Sequence, residues 1–324
     1  MYQEFFGFRK LPFEITPHPK YLFLSSQHKE ALSNLQYGLS SAKAITVLIG
    51  EAGTGKTTLL YAALASERCR NVTCVYLNSP TLTRAEFIEM LALRFGLSGH
   101  AAESKTALLA ELEPLLIEQR ARGKIVALVV DEAQSLSYEL LEEIRLFANC
   151  ETEEEKLLPV VLAGQPELSG RLNEVGLRQL KQRVTLRCEL RPLKLEETAM
   201  YIATRVKAAG GDASKIFTRD AVVLVHQSSG GIPRTINVIC DNALVTGFGL
   251  ERPLIDREIV LGVVRDFDLH ESSPATGPNG QGVRGGRALQ FPQETHDEFA
   301  TGTDDERRPD PSVSKPLFSA FHRR

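Results

Sequence analysis

The run Gly50-Glu-Ala-Gly-Thr-Gly-Lys-Thr57 decides the fold. It is a full G-x-x-x-x-G-K-[ST] pattern, and its flanks are those the pattern requires. Residues 44–49 are short, apolar and β-branched, which reads as a buried strand, and residues 56–66 read as a helix. Gly53 and Gly55 permit a tight turn in which backbone N–H groups converge, and the helix N-terminus beyond adds a dipole that favours anions. Such a loop cradles phosphate. Lys56 is placed as the point charge for β- and γ-phosphates, and the Thr57 hydroxyl as a Mg²⁺ ligand. Gly50, Glu51, Ala52, Gly53, Thr54, Gly55, Lys56, Thr57 and Thr58 are therefore the expected nucleotide-binding stretch, with ATP and Mg²⁺ as the expected cofactors.

Working outward, four more β-rich runs lie at 72–77, 125–130, 158–163 and 184–190, the last ended by Pro192. Helical stretches separate them: 84–95 after the N-cap Thr83, 104–122, and one from Ser137 toward Asn149. Strands alternating with helices predict a parallel sheet covered on both faces, because parallel neighbours need crossover connections. The expectation is an α/β P-loop NTPase core over 44–192, a five-stranded αβα sandwich. Beyond Pro192 the pattern is helical only, at 195–209, 218–228, 233–248 and 256–268, which predicts a small all-helical lid over 193–269. Residues 1–43 read as an N-terminal arm and linker helix. Residues 270–324 hold 12 of the chain's 40 Gly and Pro with no apolar period, and read as a disordered tail. The basic-aromatic end of that tail, Lys315-Pro-Leu-Phe-Ser-Ala-Phe-His-Arg-Arg, reads either as an unremarkable terminus or as a docking peptide.

Ile125-Val-Ala-Leu-Val-Val-Asp131-Glu132 is an apolar strand ending in two acids. A carboxylate at a strand's C-terminal end points into the crevice where α/β sheets bind ligands. Asp131 suits the Mg²⁺ shell, and Glu132 suits the base that orients or deprotonates an attacking water. Alone, such a pair reads as a helix-start charge pair; about 75 residues after a P-loop it reads as chemistry.

Composition narrows the class. The 324 residues are 43% apolar, enough for a real core, and 38 Lys plus Arg against 41 Asp plus Glu leave a net charge of −3. No global basic field draws the chain to nucleic acid or anionic lipid, although a local patch stays open. The five cysteines are scattered without metal spacing and read as buried small hydrophobes in a reducing compartment. The start lacks signal-peptide order, and no apolar run approaches the ~20 residues that span a bilayer, so a cytoplasmic protein without a transmembrane segment is expected.

Further motifs, Val160-Val-Leu-Ala-Gly-Gln-Pro-Glu-Leu168, Leu177-Arg-Gln-Leu-Lys-Gln-Arg183 and Gly230-Gly-Ile-Pro-Arg-Thr-Ile-Asn237, join the P-loop and the acidic strand end. Together with Phe5-Phe-Gly-Phe-Arg-Lys-Leu-Pro-Phe13, Thr16-Pro-His-Pro19 and Ser26-Gln-His-Lys-Glu-Ala-Leu32, they make the chain resemble the general secretion pathway protein A (ExeA-like) family of AAA+ ATPases from residue 1 to about 268. The resemblance implies that Gln165 occupies the place of a γ-phosphate sensor, the alternative being a loop-capping amide. It implies that Arg234 is a second sensor carried by the lid. A cation at that helix start opposes the dipole, and bound phosphate would compensate for the mismatch. An arginine finger supplied by a neighbouring subunit is expected at Arg178 or Arg183, with Arg183 favoured because it directly precedes Val184. Asn78 matches a position that can hold the catalytic glutamate inactive. The aromatic arm either packs against the core or, around residues 13–22, also lines an adenine pocket. His28 reads as a helix-surface residue. The expected catalytic set is Glu132, Lys56, Arg234, Gln165 and Arg183.

Asp-Glu-Ala-Gln at 131–134 is similar to a helicase box, but one sheet domain with a small lid leaves no second motor domain. A small-molecule kinase seldom pairs a glutamate water-activator with a Gly-Ile-Pro-Arg lid. The family implies an ATP-dependent homo-oligomer that drives a conformational switch in a secretion or envelope-assembly complex, cytoplasmic and peripheral to a membrane assembly. The membrane segment and peptidoglycan-binding domain usual in that branch are not in this sequence, which turns the expectation toward an ATPase acting on a client protein complex. A DNA-associated regulator of the transposition type, and a nucleotide-dependent scaffold, are the alternatives.

Overall fold

The computed structural model describes residues 1–14, 22–78 and 82–268. The tail reading at 270–324, Thr16-Pro-His-Pro19 and most of the arm at 13–22 lie outside the described residues. Met1–Pro274 forms one compact unit.

Two helices open the chain, α1 (Tyr2–Phe5) and α2 (Ser26–Ser40), followed by β1 (Ile45–Gly50) and α3 (Lys56–Leu64). Then come β2 (Val72–Leu77), α4 (Arg84–Phe95), α5 (Lys105–Ala121), β3 (Ile125–Val130) and α6 (Tyr138–Phe147). The core ends with β4 (Val160–Gly164), α7 (Pro166–Leu172), α8 (Arg178–Gln182) and β5 (Val184–Leu190). The lid is α9 (Leu195–Ala208), α10 (Ala213–Ile216), α11 (Arg219–Ser229), α12 (Pro233–Gly249) and α13 (Arg257–Asp266).

The sheet is parallel throughout, in the order β2-β3-β4-β1-β5. β1, β3 and β4 are buried on both faces, and their residues alternate between two cores. Val47, Ile49, Leu128, Val130 and Leu162 pack with α4 to α7, whereas Leu48, Ala127, Val129, Val161 and Ala163 pack with Leu35 and Leu39 of α2 and Leu59 and Leu60 of α3. A fully buried leucine such as Leu48 contributes about 1.5–3 kcal/mol by leaving water, and truncating one to alanine costs roughly 2–5 kcal/mol because a cavity remains. β4 begins two residues later than the apolar run suggests: Pro159 has no N–H to give, and pairing starts at Val160.

Local chemistry fixes the helix starts. Thr83 and Glu86 exchange hydrogen bonds as a capping box, and Gly96 ends α4 at φ 71°. Ser104, Ser137, Thr218 and Asp256 each cap the helix that follows.

The aromatic arm packs on the lid. Tyr2, Phe8 and Phe13 are buried in the same cluster as Tyr201, Ile236, Ile239 and Val260. Arg9 N–H donates to Ala209 O (2.8 Å), Arg205 holds Pro12 O (2.6 Å) and Glu14 O (2.7 Å), and Tyr2 donates to Asp241. α2 instead packs against β5 and α3. The chain before β1 thus contributes to both halves of the molecule, leaving the lid's N-terminal supports beside the cleft. Among the described residues no helix is long and apolar enough to cross a membrane.

Candidate active site

β1 ends at Gly50, and α3 begins at Lys56 with Gly55 as its cap at φ 98°; Gly53 lies at φ 83°. Only glycine adopts these angles without strain, so the loop turns back on itself with its amides inward. A side chain at Gly53 has no room either: its Cβ would stand 2.6 Å from Arg234 Cβ and 3.1 Å from Ile232 Cγ2. The lid touches the loop at that point, where Arg234 N–H donates to Gly53 O at 3.2 Å. Lys56 is buried and donates Nζ to Gly50 O (2.8 Å) and Glu51 O (3.1 Å). Desolvation pushes its ammonium pKa down, and the carboxylates of Glu132 and Asp131 oppose that shift.

The acidic side is built on β3. Asp131 Oδ2 accepts from Thr57 Oγ1 at 2.7 Å and from the Tyr76 hydroxyl at 2.6 Å, while Oδ1 accepts from Glu132 N at 3.0 Å. Burial and the neighbouring Asp131 carboxylate raise the Tyr76 pKa far above that of a free phenol, so it stays a donor. Glu132 sits at φ 53°, a left-handed conformation sparsely populated by non-glycine residues and enriched at functional sites. Its Oε2 accepts from Gln134 Nε2 (2.6 Å) and Gln165 Nε2 (3.2 Å). Gln134 Oε1 in turn accepts from Gln165 N at 3.0 Å, which ties the ends of β3 and β4 together. Gly164 makes room for this amide, since a Cβ there would lie 2.8 Å from Gln134 Oε1.

Between loop and lid lies a cleft of about 360 Å³, lined among others by residues 52–58, Glu132, Arg234, Leu22, Phe23, Tyr201 and Asn237. That is within the range of small-ligand pockets. The expected residues Ala52, Gly53, Thr54, Gly55, Lys56, Thr57, Thr58, Glu132 and Arg234 all line it; Gly50 and Glu51 support the loop from behind through their carbonyls. Asp131 and Gln165 stand one hydrogen bond behind the lining, on Thr57 and Glu132. Arg183 and Arg178 are exposed on α8 and its cap, outside this cleft.

Two expectations change. His28 is 3% exposed, not a surface residue: it hydrogen-bonds Ser25 Oγ (2.8 Å) and Thr54 O (3.2 Å), and burial lowers its pKa. The sequence carried that signal, because His28 heads the buried stripe Ala31, Leu35 and Leu39 of α2. Asn78 is exposed, and the amides on Glu132 are those of Gln134 and Gln165. Tyr76, Gln134, Tyr201 and Asn237 were not singled out by sequence.

The donor set fits a magnesium nucleotide. Inward amides, Lys56 and Arg234 match polyphosphate charge, and the Thr57 hydroxyl beside the Asp131 carboxylate offers the hard oxygens that magnesium takes, directly or through water.

The AAA domain family matches residues 39–172. General secretion pathway protein A of Aeromonas hydrophila is 42% identical over 248 residues, covering 76% of this chain and 45% of that protein. The chain therefore spans less than half the length of that curated relative. Among solved structures, Cdc6p from Pyrobaculum aerophilum superposes with a TM-score of 0.62 at 18% identity, covering 78% of this chain and 70% of that one. The Aeropyrum pernix ORC2 protein, solved as ADPNP-ADP complexes, gives a TM-score of 0.59 at 17% identity, covering 80% and 72%. At these identities the two structures establish the fold and nothing finer.

Proposed function

This chain belongs to the AAA+ family of general secretion pathway protein A, and from that membership we propose that it hydrolyses ATP to switch the conformation of a secretion or envelope-assembly complex. The observation that carries the reading is the placement of the Glu132 carboxylate. It lines the cleft shared by the P-loop and Arg234, one residue beyond the Asp131 that holds Thr57.

Each residue has a distinct task in this reading. Lys56, now satisfied by loop carbonyls, exchanges them for β- and γ-phosphate oxygens, and Arg234 brings a second cation from the lid. Thr57 and Asp131 would hold magnesium, which neutralises phosphate charge and fixes phosphate geometry when bound. Glu132 accepts a proton from the attacking water, and Gln165 and Gln134 aim it. Arg183, exposed outside its own cleft, reaches the nucleotide of a neighbouring copy in a homo-oligomer. The coupling to a client rests on the 42% identity to general secretion pathway protein A.

The test is ATP turnover by the purified chain, with and without duplex DNA, beside a sizing measurement with and without ATP. Turnover that is indifferent to DNA and rises with ATP-dependent assembly supports the reading. Absence of ATP binding overturns it, and salt-sensitive stimulation by DNA moves the client from a protein assembly to DNA.

A further inference from the structure

Beyond the phosphate end, the cleft holds a buried amide that the chemistry described above does not use. Asn237 is 6% exposed and lines the cleft. Its Oδ1 accepts from the Tyr201 hydroxyl at 2.9 Å. Among the described residues nothing accepts from its amide nitrogen. The amide nitrogen is not among the buried polar atoms left without a partner: it opens on the cleft, where its two N–H groups are available to a ligand that accepts.

Which end of the Asn237 amide is oxygen and which nitrogen is set by its neighbours. Arg205, a donor only, interacts with the Tyr201 hydroxyl oxygen and lies 5.9 Å over its ring. The phenol proton is then directed to Asn237 Oδ1, and the amide nitrogen is what Asn237 has left for the cleft. Arg205 is itself fixed by the Pro12 and Glu14 carbonyls, so the chain Arg205-Tyr201-Asn237 is braced from the arm.

Position and surroundings say what the amide meets. Asn237 stands three residues after Arg234 on α12, on the same helix face and about 4.5 Å further along the axis. A nucleotide whose phosphates reach Arg234 therefore extends toward Asn237 with its sugar and base. The walls there are Leu22, Phe23, Leu193 and Tyr201, with Phe23 and Tyr201 edge to face at 5.8 Å. Flat apolar walls suit a base rather than a ribose, and a pure donor suits an atom that only accepts, such as a purine ring nitrogen.

We propose that Asn237, held by Tyr201, is a specificity-determining residue that donates a hydrogen bond to a ring nitrogen of the purine base. The proposal rests on the nucleotide reading above and adds the group that reads the base. Its test is equilibrium binding, without turnover, of ATP and its 1-deaza, 3-deaza and 7-deaza analogues to the full chain and to Asn237→Ala. One analogue is expected to bind the unaltered chain about 3–10-fold more weakly than ATP, the worth of one hydrogen bond, and to bind Asn237→Ala no more weakly than ATP does. Asn237→Asp, which keeps an acceptor for Tyr201 and removes the donor, is expected to lose the same discrimination and serves if the alanine variant does not fold. Equal discrimination in the unaltered chain and the variants, or none in any of them, overturns the proposal. Failure of the unaltered chain to bind ATP at all overturns the nucleotide reading instead, so the two failures are distinct.

Discussion

Asp131 owes its orientation to two hydroxyls far apart in sequence, Thr57 and Tyr76, that donate to the same oxygen. Removing one should loosen the Asp131 carboxylate, the proposed magnesium partner, without touching the phosphate loop. Tyr76→Phe keeps the ring against Tyr61 and deletes the hydroxyl alone. A hydrogen bond to a charged group is worth about 1.5–3 kcal/mol, so the Mg²⁺ concentration for half-maximal turnover should rise about tenfold or more. ATP binding in the absence of magnesium should not change. A magnesium titration superimposable on that of the unaltered chain would show that Tyr76 does not position Asp131. Neither Tyr76 nor Gln134 was legible in the sequence, because Tyr76 meets Asp131 across 55 residues and Gln134 meets Gln165 across 31. No local pattern encodes which amide or phenol a sheet brings to a carboxylate at a strand end. The P-loop and the Asp-Glu pair were legible because their geometry is local.

At the scale of elements, helix and strand periods did most of the work, and they failed where elements are short. Strands at 72–77, 125–130 and 184–190 match the sequence reading residue for residue, since each is a bounded β-branched run. The seven residues of α7 and the five of α8 are too short for a period to show. α2 braces the P-loop through His28, and that contact titrates. Burial lowers the His28 pKa below 6.5 in the folded chain, with the Thr54 carbonyl hydrogen bond and then Glu197 opposing, so the unfolded state binds the proton more readily. Stability is therefore full above pH 6.5 and falls as pH drops below it, where the unfolded chain takes up protons that the folded chain refuses. Thermal melting of His28→Gln should show a shallower loss between neutral and mildly acidic pH than the unaltered chain. Identical slopes would assign the acid sensitivity elsewhere, His226 being the other histidine among the described residues whose pKa burial lowers.

Over the whole molecule, the site exists only because core and lid meet. The α/β core supplies Lys56 and Thr57 at the start of α3 and Asp131 and Glu132 after β3, the lid supplies Arg234 and Asn237, and the arm braces the lid from residues 2–14. The lid touches the phosphate-loop turn directly where Arg234 N–H donates to Gly53 O, so the turn and the start of α12 are packed against each other. The α/β core and all-helical lid were legible from the change in pattern at Pro192, whereas the arm's attachment to the lid was not, because clustered phenylalanines do not say which core they join. In the mechanism proposed above, this joint site hydrolyses ATP with Glu132 as the base. The most direct measurement compares Glu132→Gln with the unaltered chain for both ATP affinity and steady-state turnover. Affinity should stay within about threefold and turnover should fall by roughly 10²–10⁴-fold, the loss expected on removing a general base. Undiminished hydrolysis by Glu132→Gln would contradict this mechanism.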